Sequence, residues 1–425
     1  MIEEKRIAEN GIPVYSLPNK SNHSFYISMF LKCGTMYEHE GECGITHFLE
    51  HVLIRNVNRI MDGKLYTVLD KHGMEFNAST YNEMVQFYIC GNDKNFDLGA
   101  DIISKLLMPI CLPKEELDAE RNRIKAEIRE ADDKSSLAYF SSLAVWENTS
   151  LAKPITGTLG DVSRIGAKRL EEYRQRSFAD GNLFFYVTGN VDAACIDRLV
   201  SSINAYSLGV GDRHDNIAPI PKDFGKRAPR VKIKNADFTK IRYTFDVDMS
   251  RVSSAELDIL YDLVLGGYSS DFFIELSEKR GLFYDLGGTV ERYKNIGIFY
   301  FSYELKAAKL YEAAEKTVEL LERYTKTIPD PDKCMKAGYV DNAYMLYDDS
   351  RELNFTFGYD NHVLDLGYSG IEARKSVYAS ITPERMREVA KEVFRPENMT
   401  VTLKCNKKNT DTDRLNKILF ERGKL

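Results

Sequence analysis

The stretch GITHFLEHVL, residues 44–53, contains two of the seven histidines of this 425-residue chain, with a glutamate between them. Positions i and i+4 of an α-helix lie on one face, about 6 Å apart along the axis. A helix here therefore points His47 and His51 toward the same place. Glu50 projects to the same side, where it can hold a water molecule. The burial of an apolar helix face does not account for two histidines and a glutamate on one side of the helix, so the pattern predicts a metal site.

The two histidines leave a catalytic zinc ion one protein ligand short, because such an ion usually takes three protein ligands and one water. A carboxylate is a common complement to two histidines. The best source is the charged helical segment 116–133. Glu120 and Glu127 are seven residues apart in it and lie on one stripe of the helix. Glu130, one turn beyond Glu127, is a second candidate for the third ligand.

The composition of the chain excludes several classes of protein. Apolar residues make up 43% and charged residues 29%, which is typical of globular proteins with sizeable cores. The formal net charge of −6 disfavours nucleic-acid binding, because such proteins usually carry a basic surplus. We expect no membrane span, since no apolar run is long enough, and no secretory signal. The seven scattered cysteines form no CxxC pair, so we expect reduced thiols and a cytoplasmic location.

The chain divides into two halves of similar layout, within residues 24–91 and 240–305. Each has a strand-like run, a helix, a K-[HR]-G turn and two further strands, the second with alternating aromatic residues. Residues 207–230 are rich in Gly, Pro, Asp and Arg, which is typical of a linker. We predict a metal-bearing catalytic domain at 1–206 and a related, substrate-contacting domain without the metal motif at 231–425. The fold class is α+β, with two duplicated α/β-sandwich-like units facing each other across a cleft.

The sequence resembles the insulinase-type zinc metallopeptidases with the inverted zinc motif, in particular small two-domain members such as mitochondrial processing peptidase and its bacterial relatives. GITHFLEHVL is similar to the glycine-led HFLEH helix of that family. The family's third zinc ligand is a glutamate roughly 76 residues after the second histidine, where this chain has Glu127. A supporting glutamate of the catalytic set lies seven residues earlier, where it has Glu120. The resemblance implies that His47, His51 and Glu127 hold one Zn²⁺ per chain, with Glu50 as the catalytic base.

Two further segments resemble substrate-contacting parts of the same family. EFNASTYNEMVQFY is similar to an edge strand whose Asn-Ala pair binds the substrate backbone, and the pair here is Asn77 and Ala78. SSDFFIELSEKRGLFY is similar to a segment with an Arg-xxx-Tyr pair near the bound substrate, which Arg280 and Tyr284 match. The segment LGGYSSD is short beside the glycine-rich loop of the mitochondrial non-catalytic partner. This difference disfavours a purely regulatory role.

These features predict a zinc-dependent endopeptidase that cleaves extended peptides or leader and presequence segments. We expect a peptide substrate and a homodimer, or a heterodimer with a related chain. The alternative is a catalytically silent, peptide-binding subunit of a heterodimeric peptidase. Intact His47, Glu50, His51 and Glu127 favour the enzyme, because a silent partner usually loses at least one of them. Leader removal in a peptide natural-product pathway and general peptide turnover are both open at this point.

Overall fold

The computed structural model describes residues 2–130, 136–283, 285–328 and 336–421, which form two compact units. Within these residues the first unit comprises 2–130, 153–216 and 344–373. The second comprises 136–152, 217–283, 285–328, 336–343 and 374–421.

Helices and strands are mixed along the described part of the chain. The strands are β1 Glu4–Ile7, β2 Pro13–Pro18, β3 Ser24–Leu31, β4 Glu75–Thr80, β5 Val85–Asn92, β6 Leu183–Gly189, β7 Arg230–Asn235, β8 Thr239–Asp248, β9 Asp285–Arg292, β10 Ile296–Leu305 and β11 Met399–Cys405. The helices are α1 Ile45–Ile60, α2 Leu65–His72, α3 Phe96–Ser104, α4 Lys114–Glu130, α5 Leu137–Val145, α6 Leu159–Arg164, α7 Ala167–Ser177, α8 Ala193–Asn204, α9 Ser254–Leu265, α10 Leu310–Lys326, α11 Ser350–His362, α12 Ile371–Ala379, α13 Pro383–Val393 and α14 Thr412–Phe420. None of these helices is both long enough and apolar enough to cross a membrane.

The first unit is built on a sheet with the strand order β1-β2-β6-β3-β5-β4. Strands β2 and β6 are parallel, and the other neighbours are antiparallel. Alternate residues of β3, such as Phe25 and Ile27, belong to the main core together with Phe48 and Leu49 of α1. This alternation is expected of a strand, because successive side chains point to opposite faces. Strand β4, which follows the metal-motif helix in the chain, lies at the edge of the sheet.

The second unit repeats this topology. Its sheet has the order β7-β11-β8-β10-β9, which matches β2-β6-β3-β5-β4 strand for strand. The one parallel pair, β7 with β11, stands where β2 pairs with β6 in the first sheet. The predicted α+β class is therefore confirmed, and the shared strand order supports duplication of one unit.

Each sheet has a second face that is covered by a helix from the other half of the chain. Helix α11 contacts β3 and β6 of the first sheet, and α5 contacts β8 and β11 of the second. Buried Asn354 of α11 accepts a hydrogen bond from the Ser28 hydroxyl at 2.6 Å and donates to the Tyr186 carbonyl at 2.8 Å. In the second unit the hydroxyls of Ser141 and Thr402 share a hydrogen bond. The compact units therefore differ from the predicted boundaries, which followed chain order, in these two segments.

The structure describes all of residues 207–229, which connect the two halves. They contain no helix, and their only β-structure is a single bridge at Gly209. Strand β7 begins at Arg230, the last residue of the predicted linker. One of the places where the chain passes from one compact unit to the other, between residues 216 and 217, lies inside this connection.

Gly44, immediately before α1, has a φ of +83° and lies against another backbone segment. A Cβ atom added there would stand 2.6 Å from Gly157 Cα and 2.8 Å from Thr156 O. Real Cβ atoms do not approach backbone so closely, and the left-handed conformation already disfavours any residue with a side chain. Both the backbone conformation and the close neighbouring backbone therefore require glycine at this position.

We expect Gly44→Ala to be considerably more destabilising than Gly63→Ala. Gly63 has a similar φ of +78° but no atom within 4 Å of its added Cβ, so its substitution costs only the left-handed strain of about 1–2 kcal/mol. Gly44→Ala adds the cost of overpacking, about 1–3 kcal/mol. Urea unfolding of the metal-free proteins measures both changes. Equal losses would contradict the close approach at Gly44.

Candidate metal centre

The start of α1 is fixed by a buried carboxylate. Glu38 Oε2 accepts the backbone N–H of Gly44 at 3.0 Å, and Oε1 accepts that of Thr46 at 3.1 Å. These N–H groups have no partner within the helix, and the helix dipole favours a negative charge beside them. Burial raises the pKa of Glu38 to about 7, although the two backbone hydrogen bonds lower it. The carboxyl thus holds the turn that presents His47.

The two histidines lie on the side of α1 opposite its core-facing residues. The buried apolar residues of the helix include Phe48, Leu49, Val52 and Leu53. The side chains of His47 and His51 are 14% and 13% exposed, with ring centroids 4.7 Å apart. Burial, aided by the charge of His51, lowers the pKa of His47 to about 4. At neutral pH the His47 ring is therefore neutral and keeps a nitrogen lone pair for a ligand.

Glu127 of α4 completes a group of three potential metal ligands. Its Oε2 lies 3.4 Å from His51 Nε2 and 3.9 Å from His47 Nε2. One ligand atom from each residue lies within 4.8 Å of the others. Within the described ranges this is the one group of three or more His, Cys, Asp or Glu side chains that meets that condition. Glu130 is exposed and does not belong to the group.

The donor set and its spacing fit a zinc ion. Ligands at about 2.1 Å in a tetrahedral arrangement stand roughly 3.4 Å apart, close to the two distances from Glu127. In the described part of the chain the buried Nδ1 of His47 has no hydrogen-bond partner. Buried polar groups are normally satisfied, so a buried ring nitrogen without a hydrogen-bond partner is consistent with a ligand position. Two histidines and one carboxylate are also a donor set that catalytic zinc uses.

Glu120 contacts the opposite nitrogen of His51 and so does not join the group of three. Its Oε2 lies 3.5 Å from His51 Nδ1, while its Oε1 accepts a hydrogen bond from Arg55 Nη1 at 3.1 Å. Burial raises the pKa of Glu120, but His51 and Arg55 outweigh it and the pKa is lowered. An ionised carboxylate at Nδ1 directs the free lone pair of His51 to Nε2. Glu120 thus restrains the orientation of the His51 ring.

Glu50 lies beside the histidines and is held by the edge strand. The Thr80 hydroxyl at the end of β4 donates a hydrogen bond to Glu50 Oε2. Burial raises the pKa of Glu50, opposed by the hydrogen bond from Thr80 and by the charge of His51. A carboxylate with a raised pKa accepts a proton more readily than an exposed one.

The two residues matched to substrate-backbone binding lie on β4, the edge strand of the first sheet, whose outer side has no neighbouring strand among the residues that the structure describes. Asn77 Oδ1 accepts the backbone N–H of Ala78 at 2.9 Å. The start of the strand is anchored by Arg351 of α11, whose Nη2 donates a hydrogen bond to Glu75 Oε1 at 2.8 Å. The same Arg351 nitrogen lies 2.8 Å from the Tyr88 hydroxyl.

Arg280 belongs to the second unit, and Tyr284 lies outside the described residues. The Nη1 of Arg280 donates to Glu275 twice, to Oε2 at 2.7 Å and to the carbonyl at 2.6 Å. Lys279 donates to Glu275 Oε1 at 2.6 Å. Lys279 and Arg280 together lower the pKa of Glu275 to about 2. The Arg280 guanidinium is thus held in place within its own unit.

Sequence reasoning missed three residues that hold this site. Arg55 was detectable, since it stands four positions after His51 and therefore on the same face of α1. Thr80 was detectable from strand alternation, because it shares a face of β4 with Ala78. Arg351 had no sequence signal, because it comes from the opposite half of the chain.

We expect Glu127→Gln to weaken zinc retention by about 10–100-fold or more, because losing a ligand costs at least as much as losing a residue that orients one. Glu130→Gln is the matched control and should retain zinc like the unmodified protein. Zinc content after dialysis against a competing chelator measures both. Loss of zinc in Glu130→Gln with full retention in Glu127→Gln would show that Glu130, and not Glu127, is the third ligand.

The chain is similar to known proteins in sequence and in fold. The family description of insulinase (peptidase family M16) matches residues 14–159, and that of the peptidase M16 inactive domain matches residues 164–333. An uncharacterized zinc protease of Rickettsia felis is 27% identical over 68% of this chain and 70% of its own. The uncharacterized zinc protease YmxG of Bacillus subtilis is 21% identical over 74% of this chain and 76% of its own.

Solved structures show the same fold. A protease from Helicobacter pylori superposes with a TM-score of 0.83 at 20% identity, covering 94% of this chain and 98% of that one. The periplasmic protease PqqL from Escherichia coli gives a TM-score of 0.80 at 16% identity, and the match covers all of this chain and 50% of that one. The two family matches lie end to end over most of the chain, and they confirm the resemblance seen in the sequence. This chain belongs to the insulinase family of peptidases, family M16.

Proposed function

We propose that this protein is a zinc-dependent endopeptidase that cleaves extended peptides. The observation that carries the proposal is the group formed by His47, His51 and Glu127, with Glu50 next to it. Curated relatives that are named zinc proteases support it. In this proposal the two histidines and Glu127 hold the metal, and Glu120 orients His51.

The chain's own residues supply the proton transfers. When bound, zinc supplies Lewis-acid chemistry that polarises a peptide carbonyl and makes water more acidic. Glu50 takes the proton of the attacking water and later delivers it to the leaving amine. Its raised pKa suits this exchange, because a base must hold the proton between the two transfers.

Edge strand β4 is the proposed binding site for the peptide backbone. An extended peptide can add to a free sheet edge through main-chain hydrogen bonds, which read the backbone and tolerate varied sequence. In the free protein the Asn77 side chain occupies the N–H of Ala78. A substrate carbonyl would replace it there and leave the Asn77 amide for a second contact. Extended peptides, leaders and presequences should therefore be better substrates than compact folded proteins.

Several finer properties stay predictions. These are the cytoplasmic location, the pairing with a second copy or a related chain, and the choice between leader removal and general peptide turnover. Cut sites in a mixed peptide library, read by mass spectrometry, would define the substrate preference directly.

We expect Glu50→Gln to retain zinc and the fold but to lower kcat by about 10²–10⁴-fold, because the amide cannot accept the proton. The measurements are zinc content, thermal unfolding and cleavage of the peptides that the unmodified protein cuts. Glu130→Gln again serves as the control, with turnover unchanged. Unmodified turnover in Glu50→Gln would rule out its role as base.

The silent-subunit alternative gives a different result in the same assays. A silent subunit would purify without zinc, fail to regain it from added zinc and cut no peptide in the library. That outcome would replace the proposed enzyme with a peptide-binding partner.

We expect Arg280→Ala to lower kcat/KM by roughly 10–1000-fold with zinc retained, because a guanidinium that grips a carbonyl or carboxylate leaves that group unpaired when it is lost. Lys279→Ala is the matched control, since Lys279 shares the partner Glu275 but has no assigned substrate contact. Kinetics on several peptides compare the two variants. Equal losses would assign the effect to the Glu275 contacts instead of to substrate.

A further inference from the structure

Thr80 connects two parts of the first unit that the proposed function uses separately, the base and the edge strand. It is the last residue of β4, and its hydroxyl donates to Glu50 Oε2. We propose that Thr80 is a positioning residue that fixes the orientation of the Glu50 carboxylate relative to the strand that receives substrate. The inference rests on the proposed role of Glu50 as base.

Strand geometry sets the direction of the Thr80 side chain. Residues two apart on a strand share a face, and Phe76 and Ala78 of β4 pack against the core of the first unit. Thr80 continues this row toward α1, which contacts β4. The register with β5, where Thr80 pairs with Val85, holds the residue in this row. The hydroxyl therefore reaches Glu50 because of the register of a paired strand.

Both ends of β4 are tied to other elements of the first unit. At its start, Glu75 is bound by Arg351 and by the Tyr88 hydroxyl. At its end, Thr80 is bound to Glu50. Asn77 and Ala78 lie between these anchors. A peptide added at this edge is thus placed on a strand whose far end is hydrogen-bonded to the base.

The bond restricts a carboxylate that would otherwise turn freely. The terminal torsion of a glutamate is broad and roughly two-fold, so its own rotamer preference does not fix the plane of the oxygens. Threonine is stiff at χ1 because it is branched at Cβ, which makes its hydroxyl a fixed donor. With Oε2 engaged by Thr80, the carboxylate plane is set and Oε1 remains for water. Small errors in the placement of a reacting group cost large factors in rate.

The test compares Thr80→Val, which keeps the shape and loses the hydroxyl, with Thr80→Ser, which keeps the hydroxyl. We expect Thr80→Val to retain zinc and to lower kcat by about 10–100-fold with KM within about 2-fold, since orientation matters for the chemical step. Thr80→Ser should recover kcat to within about 3-fold. If Thr80→Val does not purify as a folded protein, Thr80→Ala against Thr80→Ser carries the same comparison.

A double-variant cycle with Glu50 separates positioning from a general structural role. Adding Thr80→Val to Glu50→Gln should cause no further loss of activity, because residues that act as a unit are not additive. A second readout uses the metal-free protein. In the otherwise unmodified protein, Thr80→Val should lower the Tm by about 2–4 °C. In a Glu50→Ala background, where the hydrogen-bond acceptor is absent, the same substitution should lower the Tm by less.

The outcomes distinguish this inference from the proposed function. Unchanged kcat in Thr80→Val with an inactive Glu50→Gln overturns the positioning role alone. Equal damage from Thr80→Val and Thr80→Ser, or a rise confined to KM, also overturns it, because either result would assign Thr80 to strand shape or substrate affinity. Full activity in Glu50→Gln overturns the proposed function itself.

Discussion

The contact between α1 and α4 decides whether the metal group exists, because the histidines come from one helix and Glu127 from the other. Arg55 of α1 sets the register of the two helices through ion pairs with Glu116 and Glu120 of α4, each at 3.1 Å. Ile124, fully buried, packs in the core on the same helix. A slide of α4 by one turn, about 5.4 Å, would carry Glu127 out of reach of both imidazoles.

Much of this site could be predicted from helix spacing alone. The i, i+4 rule places His47 and His51 together, and the seven-residue interval places Glu120 and Glu127 on one stripe. Spacing could not separate Glu127 from Glu130, because that choice depends on how α4 lies against α1. It also could not assign different partners to the two glutamates on the stripe. In the structure Glu120 lies beside Nδ1 of His51 and Glu127 beside Nε2 of the same ring.

The fold class was also predictable from the sequence. The prediction failed, as it did for the glutamates, where the answer depends on how distant elements pack together. Repeated strand and helix patterns in the two halves predicted the α+β class and the duplication. The predicted domain boundaries placed α5 and α11 with their neighbours in the chain, whereas each packs in the compact unit formed mainly by the other half. Apolar periodicity shows that a helix has a buried face, but it carries no information about which sheet that face covers.

The position of α11 has a consequence for biosynthesis. One face of the first sheet, with Phe30 and Phe184 among its aromatic residues, is covered by a helix that ends at His362. During translation that face remains uncovered while strands β7 to β10 of the second sheet are synthesised. Domains generally fold as units, the N-terminal one first, and uncovered apolar surface invites aggregation. Here the N-terminal unit is the one that is completed late, so a chain that ends before residue 350 leaves this aromatic face exposed.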